Sequence, residues 1–238
     1  MTDPSDTARE AIRILRRIDV VFSDGTQKTG SGFVGPEPNM IITCAHIVSE
    51  SGKAVARVSV DGKLAHIETI HDGIDLAILE ADEKETSRLE KSNILQLGDQ
   101  LMFAGFPTGV LGPSLFSGVL SAHGENLAQY PRCRLLQING MINLGNSGGP
   151  VLKVGGQAVV GVITAKYVPL LQEIDKLRDI LRSIPQFPSE VGIGQVDFSK
   201  FVNLTTRALL SVSGSLRMVQ VGIGYAIPID LWIHKTTT

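Results

Sequence analysis

The segment Val20-Val21-Phe22-Ser23, the pair Asp24-Gly25 and the segment Gly32-Phe33-Val34 decide the fold of this chain. Both apolar segments are short and rich in β-branched and aromatic residues, which favours strands. An Asp-Gly pair next to a strand is typical of a two-residue hairpin turn in which both central residues have positive φ. Asp61-Gly62 repeats this signal further along. We therefore predict that the first part of the chain is built from short antiparallel strands.

The same pattern continues through the rest of the chain. Further strands are predicted at Met40–Ala45, Ala54–Val60, Leu64–Ile70, Leu76–Glu80, Gln100–Gly105, Phe116–Ala122, Arg134–Ile138, Pro150–Val154, Ala158–Thr164 and Gly224–Ile227. A charged stretch, Asp82–Glu85, separates the strands of the two halves and is predicted to be a solvated connector. Because the chain also has 25 glycines in 238 residues, we predict an all-β protein of two antiparallel barrels or sandwiches, at residues 18–88 and 89–238.

Two parts of the chain have helical periodicity instead. Thr7-Ala8-Arg9-Glu10 has the form of a capping box at the start of an apolar pattern, which predicts a helix over residues 7–17 in an N-terminal arm of residues 1–17. Residues 167–220 are predicted to be a helical insertion, because apolar residues recur at helical spacing before Pro185 and again near 204–210. The apolar face of its first helix is formed by Leu170, Ile174, Leu177 and Leu181.

Composition excludes several classes of protein. The chain has 22 basic and 24 acidic residues, a net charge of −2, so no nucleic-acid partner is expected. We find no run of 18 apolar residues and no signal-peptide core, and we therefore expect a cytoplasmic protein without a membrane partner. The two cysteines, Cys44 and Cys133, have no zinc-ligand spacing and are expected to be buried free thiols.

Gly145-Asn146-Ser147-Gly148-Gly149-Pro150 is the strongest local signal for chemistry. Glycines around a serine allow a sharp turn that exposes the hydroxyl and lets backbone N–H groups converge on one point. An ordinary glycine-rich turn is the alternative. A serine nucleophile would also need a base and a carboxylate that orients it.

Candidates for that base and carboxylate follow two apolar runs. His46 ends the run that begins at Met40, and Asp75 opens the run Leu76–Leu79, where an unpaired carboxylate would be costly. Asp72 is the competing candidate for the carboxylate. We favour Asp75 because it directly adjoins the apolar run.

These three sites occur in the chain order His, Asp, Ser, which resembles chymotrypsin-like serine proteases. More narrowly, the chain is similar to the protease domain of the high-temperature-requirement (Deg) family. The segments that carry this resemblance are Gly30–Val34, Thr43–His46, Asp75–Leu79, Leu97–Asp99, Phe103–Pro107, Ser117–Ser121, Gly145–Pro150 and Gly222–Pro228. The resemblance covers most of residues 30–166 and 222–230, and the PDZ domains that usually follow in this family are not part of it.

This resemblance implies a fold of two six-stranded antiparallel β-barrels and the chemistry of a serine endopeptidase. His46 would be the general base, Asp75 would orient it, and Ser147 would attack the peptide carbonyl to form an acyl-enzyme. The backbone N–H groups of Gly145 and Ser147 would form the oxyanion hole. No cofactor and no metal would be needed. The alternative is a latent or inactive protease fold that a partner recruits or switches on, and an esterase would use the same residues.

The substrate preference can be predicted from the residues at fixed distances from the nucleophile. In chymotrypsin-like proteases the residue six positions before the nucleophile lies at the base of the S1 pocket, which here is Met141. Thr164, Ala165 and Lys166 would line the pocket wall. We therefore expect protein or peptide substrates with a small or medium apolar P1 residue.

Two features depart from the family pattern. Cys44 stands where the family usually has alanine, and we interpret it as a small core residue. The helical insertion at 167–220 begins directly after the predicted pocket wall. We expect it either to pack within the chain or to contact a second copy or a regulatory protein.

Overall fold

The computed structural model describes residues 3–125, 134–166, 171–184, 192–193, 196–216 and 222–233. The strands are β1 (Leu15–Phe22), β2 (Gln27–Val34), β3 (Met40–Thr43), β4 (Val55–Val60), β5 (Lys63–His71), β6 (Leu76–Glu80), β7 (Arg88–Leu89), β8 (Gln100–Gly105), β9 (Ser114–Glu125), β10 (Leu135–Gly140), β11 (Pro150–Lys153), β12 (Ala158–Lys166), β13 (Gly192–Ile193), β14 (Val196–Asp197) and β15 (Ile223–Pro228). The α-helices are α1 (Pro4–Ile14), α2 (Ala45–Val48), α3 (Leu171–Ser183), α4 (Phe198–Leu216) and α5 (Asp230–Ile233). Two compact units are formed, one from residues 1–167 with 222–238 and the other from 168–221.

Two antiparallel barrels make up the larger unit. The first closes in the strand order β1-β2-β3-β6-β5-β4. In the second, β11 pairs with both β8 and β12, which closes the ring β8-β9-β10-β15-β12-β11, and β7 adds to β12 by a short parallel pairing. The prediction of two six-stranded antiparallel barrels is confirmed.

Apolar side chains fill both barrels. Phe33 and Leu79 are fully buried in the first barrel. Phe103 and Leu120 are fully buried in the second, where the ring of Phe103 stacks on that of Phe116 with centroids 5.5 Å apart. Among the residues described, no helix has the length and apolar character needed to cross a membrane.

The two Asp-Gly turns differ in conformation. Asp61 and Gly62 both have positive φ, as predicted, at 48° and 81°. At the other turn only Gly25 has positive φ, because the Asp24 carboxylate accepts hydrogen bonds from the backbone and hydroxyl of Thr26 at 2.9 and 2.6 Å. This side-chain turn replaces the expected backbone conformation at Asp24.

The N-terminal helix is shifted relative to its prediction over residues 7–17. It begins at Pro4 with Asp3 as N-cap and ends at Ile14, and residues 15–17 belong to β1. The predicted capping box fails because Thr7 is buried and bonds elsewhere. Its hydroxyl donates to the carbonyl oxygen of Gly156 at 2.8 Å and accepts from the N–H of Gly155 at 3.0 Å, which fastens α1 to the β11–β12 turn.

The smaller unit contains the two helices predicted for the insertion. Helices α3 and α4 are joined by the Arg178 guanidinium, which donates to the Leu210 carbonyl oxygen at 3.3 Å and to Ser213 Oγ at 3.4 Å. Of the predicted apolar face, Leu181 is buried and Leu177 is exposed, whereas Leu170 lies outside the described residues. The regulatory or oligomeric role of this insertion stays a prediction.

Candidate active site

His46 and Asp75 are brought together by the pairing of β3 with β6. Thr43 lies opposite Ala77 in this pairing, so the residues that follow β3 meet those that precede β6. His46 lies on the short helix α2, and Asp75 caps a 3-10 turn with φ 55°. The His46 Nδ1 is 2.9 Å from Asp75 Oδ2 and 3.0 Å from Oδ1, and the His46 backbone N–H donates to Oδ1 at 2.9 Å.

The competing candidate Asp72 is exposed, whereas the Asp75 side chain is only 3% exposed. Burial by itself would raise the pKa of Asp75. Hydrogen bonds from His46 and Thr164, together with the charge on His46, outweigh burial and hold the pKa of this carboxyl below its ordinary value. Asp75 is therefore a carboxylate at neutral pH, and it accepts a hydrogen bond from the Nδ1–H of His46.

From the sequence, Thr164 is expected in a pocket wall, but its side chain faces the carboxylate of Asp75. It is 3% exposed, and its hydroxyl donates a short hydrogen bond to Asp75 Oδ2. The register of β12 against β15 shifts between Ile163 and Ala165, and such an irregularity re-aims a side chain. Thr164 is thus a positioning residue for Asp75 that strand alternation could not reveal.

We expect Thr164→Val to destabilise the fold in a pH-dependent way. A hydrogen bond to a charged group contributes about 1.5–3 kcal/mol, so the free energy of unfolding at pH 7 should fall by about that amount. Because the pKa of Asp75 is lowered in the fold, the stabilisation it provides is present above its unfolded value, near 3.8, and is lost as the pH falls through the folded-state pKa. Urea unfolding at pH 7 and at a series of pH values below 3.8 measures both effects.

The matched control is Thr29→Val, which removes an exposed hydroxyl that donates to Asp19 at 2.7 Å. We expect this change to alter the free energy of unfolding by about 0.5 kcal/mol or less. A Thr164→Val loss that does not shrink at any pH below 3.8 would contradict the assignment of the effect to the ionised carboxylate.

Ser147 lies on the loop between β10 and β11. Its Oγ donates a hydrogen bond to the carbonyl oxygen of Thr164 at 3.0 Å, so its single proton is directed at that carbonyl in this conformation. Glycines shape the loop: Gly145 and Gly148 have φ of 93° and 87°. A Cβ on Gly145 would lie 2.2 Å from the Phe106 carbonyl oxygen, so alanine would not fit there.

Two backbone N–H groups of this loop are available to a ligand. Within the described part of the chain, the N–H groups of Gly145 and Ser147 have no hydrogen-bond acceptor, whereas those of Asn146, Gly148 and Gly149 donate to Asn143, Ile163 and Asn146. The pair that the sequence predicted as an oxyanion hole is therefore free to bind a developing negative charge.

Ser31, on β2 of the first barrel, holds this loop in place. Its buried hydroxyl donates to the Gly145 carbonyl oxygen at 2.7 Å and accepts from the Phe106 N–H at 2.9 Å. Its backbone N–H donates to the Ser147 carbonyl oxygen at 2.9 Å. In the sequence, Ser31 stands out only as part of a family-like segment, because nothing in its neighbours signals these distant contacts.

The role of the remaining predicted pocket residues stays a prediction. The side chain of Met141 is 60% exposed, so it is open to contact with another molecule. Ala165 and Lys166 contribute backbone to β12, where they pair with Tyr225 and Gly224. The side chains of Ala165 and Lys166 lie outside the described residues.

Comparison with known proteins agrees with this geometry. The family model described as trypsin-like peptidase domain matches residues 30–162. The chain is 32% identical over 145 residues to the "Probable periplasmic serine endoprotease DegP-like" of Rhizobium meliloti (strain 1021) and 33% identical over 140 residues to the protein of that name from Pseudomonas savastanoi pv. phaseolicola (strain 1448A / Race 6). These matches cover 59% and 58% of this chain but only 28% and 29% of those proteins, so the chain spans less than a third of their length.

Solved structures show the same fold. An HtrA-type protease, AlgW, determined with a tripeptide, has a TM-score of 0.69 and 20% sequence identity, with 98% of this chain and 62% of that chain covered. The same protease determined with a decapeptide has a TM-score of 0.65 and covers 97% and 65%.

Our expectation of a cytoplasmic location is wrong. The relatives at 32% and 33% identity are named periplasmic endoproteases, and this points away from the cytoplasm. The expectation depended on finding no signal-peptide core. The fold of the two barrels carries no information about such a segment.

Proposed function

Since this chain belongs to the family of trypsin-like peptidase domains, we propose that it is a serine endopeptidase with His46, Asp75 and Ser147 as its catalytic residues. The observation that carries the proposal is the His46–Asp75 pair, with Nδ1 at 2.9 Å from the carboxylate. A second support is the Ser147 loop with its two free N–H groups. The names of the relatives also support action in the periplasm.

In the proposed reaction, His46 Nε2 takes the proton of Ser147 Oγ as that oxygen attacks the peptide carbonyl. The N–H groups of Gly145 and Ser147 donate to the carbonyl oxygen as it becomes negative. His46 then gives the proton to the leaving amine, and water hydrolyses the acyl-enzyme by the same steps in reverse. Asp75 keeps the imidazole in the orientation and tautomer that leave Nε2 as a base.

The substrate is proposed to be a protein or peptide with a small or medium apolar P1 residue. The exposed Met141 supports an apolar contact for such a side chain. The solved structures of AlgW were determined with a tripeptide and a decapeptide, which supports peptides as the class of ligand.

A second candidate function is a latent protease that a partner or substrate switches on. The direction of the Ser147 hydroxyl favours it, because Oγ donates to Thr164 and must rotate before its proton can pass to His46. Latency would appear as slow reaction with inhibitors that becomes faster when peptide is added.

Labelling with a fluorophosphonate tests the proposal directly. We expect one label per chain, located by mass spectrometry on the peptide that contains Ser147, because only an activated serine attacks phosphorus readily. Ser121→Ala, which removes an exposed serine of β9, is the control and should label like the wild type. Folded protein that takes up no label, with or without added peptide, would contradict the proposed function.

A further inference from the structure

Three metal-binding side chains meet beneath the imidazole of His46. Cys44 Sγ, a ring nitrogen of His46 and a carboxylate oxygen of Asp75 all lie within 4.8 Å of one another. Cys44 and Asp75 are buried, whereas the His46 side chain is 40% exposed and closes the set on the solvent side. The catalytic steps described above use two of these groups and leave the thiol without a role.

This donor set suits zinc. Thiolate, imidazole and carboxylate are the common zinc ligands in proteins, with bonds of about 2.0–2.3 Å, which place ligand atoms of a tetrahedral site roughly 3–4 Å apart. The His46 and Asp75 atoms are 2.9–3.0 Å apart, so an ion between them requires the imidazole to move outward. Water could supply a fourth ligand from the exposed side, as in other three-residue zinc sites.

The environment of the thiol also favours a cation. The Cys44 thiol donates to the Ile163 carbonyl oxygen at 3.2 Å. The negative end of this carbonyl dipole and the Asp75 carboxylate both place negative charge near Cys44 Sγ. A divalent cation would neutralise the carboxylate and the thiolate together.

We propose that Cys44, His46 and Asp75 form an inhibitory binding site for a thiophilic divalent cation such as Zn²⁺. On binding, Cys44 Sγ releases its proton to solvent and coordinates the ion as thiolate, and Asp75 coordinates through a carboxylate oxygen. His46 coordinates through the lone pair of Nδ1, which requires that its Nδ1 proton leave and that Nε2 take up one proton. The ring stays neutral, with its hydrogen moved to the other nitrogen.

The inhibitory effect rests on the proposed function. Once Nε2 carries a hydrogen, it has no lone pair with which to accept the proton of Ser147. The bound ion therefore removes the general base without displacing the serine or closing the substrate cleft.

Cadmium titration of the Ser147→Ala protein tests the site without depending on activity. We expect one equivalent of Cd²⁺ to produce a thiolate-to-metal charge-transfer absorbance, which Cys44→Ala and Cys44→Ser both abolish. Cys133→Ala, which removes the other cysteine of the chain, is the matched control and should keep the band. Using two Cys44 variants, each checked by circular dichroism, separates loss of the ligand from loss of the fold. A band that survives both Cys44 changes would overturn the proposal.

Zinc inhibition of peptide hydrolysis tests the consequence. The ratio of rates with and without Zn²⁺ is compared within each variant, so that any change in basal rate cancels. We expect the Zn²⁺ concentration that halves the rate to rise about tenfold or more in Cys44→Ala and to stay unchanged in Cys133→Ala. Equal inhibition of all three proteins would refute the inhibitory role. A wild type that binds Cd²⁺ through Cys44 but hydrolyses no peptide would leave the metal site standing and refute the proposed function.

Discussion

Ser147→Ala is expected to lower kcat for peptide hydrolysis by about a million-fold, the size of loss that follows removal of the nucleophile in other serine proteases. Alanine cannot form the acyl-enzyme, and the remaining site supplies only binding and the two N–H donors of the loop. KM should change little, because the hydroxyl donates to Thr164 rather than projecting as a binding group. The measurement is steady-state hydrolysis of a chromogenic peptide with an apolar P1 residue.

The fold should tolerate this change. Ser147 Oγ makes one hydrogen bond, to a backbone carbonyl, and we expect the free energy of unfolding to change by about 1 kcal/mol. Ser121→Ala serves again as control and should keep the wild-type kcat. A wild-type rate that is already as low as that of Ser147→Ala, and that rises on adding a partner or peptide, would favour the latent form.

Asp75→Asn is expected to lower kcat by about 10⁴-fold at neutral pH. The amide group that replaces one oxygen donates rather than accepts. It would favour a His46 ring that accepts at Nδ1 and carries its hydrogen on Nε2, where it cannot act as a base. The volume is unchanged, so KM and the ability to bind peptide should be retained, and kcat and KM measured separately show this.

The exposed Asp72 provides the control, since Asp72→Asn should leave kcat within about twofold. The wild type should also show no loss of activity from protonation of Asp75 above about pH 4, because the pKa of this carboxyl is lowered in the fold. An Asp75→Asn enzyme with near-wild-type kcat, or an equal loss in Asp72→Asn, would disprove the assignment.

Much of the fold could be predicted from the sequence, because short apolar runs between turn residues leave few alternatives. Leu76–Glu80 and Gln100–Gly105 are strands with the predicted bounds. Asp75 could be preferred over Asp72 because a carboxylate next to a buried strand needs a partner, and His46 is that partner. The neighbouring residues are sufficient for a prediction where a charged side chain lies next to a buried strand, because such a charge needs a partner.

The errors have a common physical origin in contacts between distant parts of the chain. Thr7 fits a capping box, yet the turn at Gly155 and Gly156 takes its hydroxyl. Thr164 is assigned to the pocket by counting along β12, but the register shift beside it turns the side chain to Asp75.

The attachment of Ser31 to the nucleophile loop has a consequence for how the protein can be divided. A fragment that holds only the second barrel would contain Ser147 but lack the hydrogen bonds that Ser31 of β2 makes to the Ser147 loop. Neither half would therefore carry a formed reaction centre, and catalytic competence would arise only on their association. When the two halves are expressed separately and mixed, catalytic activity should therefore report how much of the protein has reassembled.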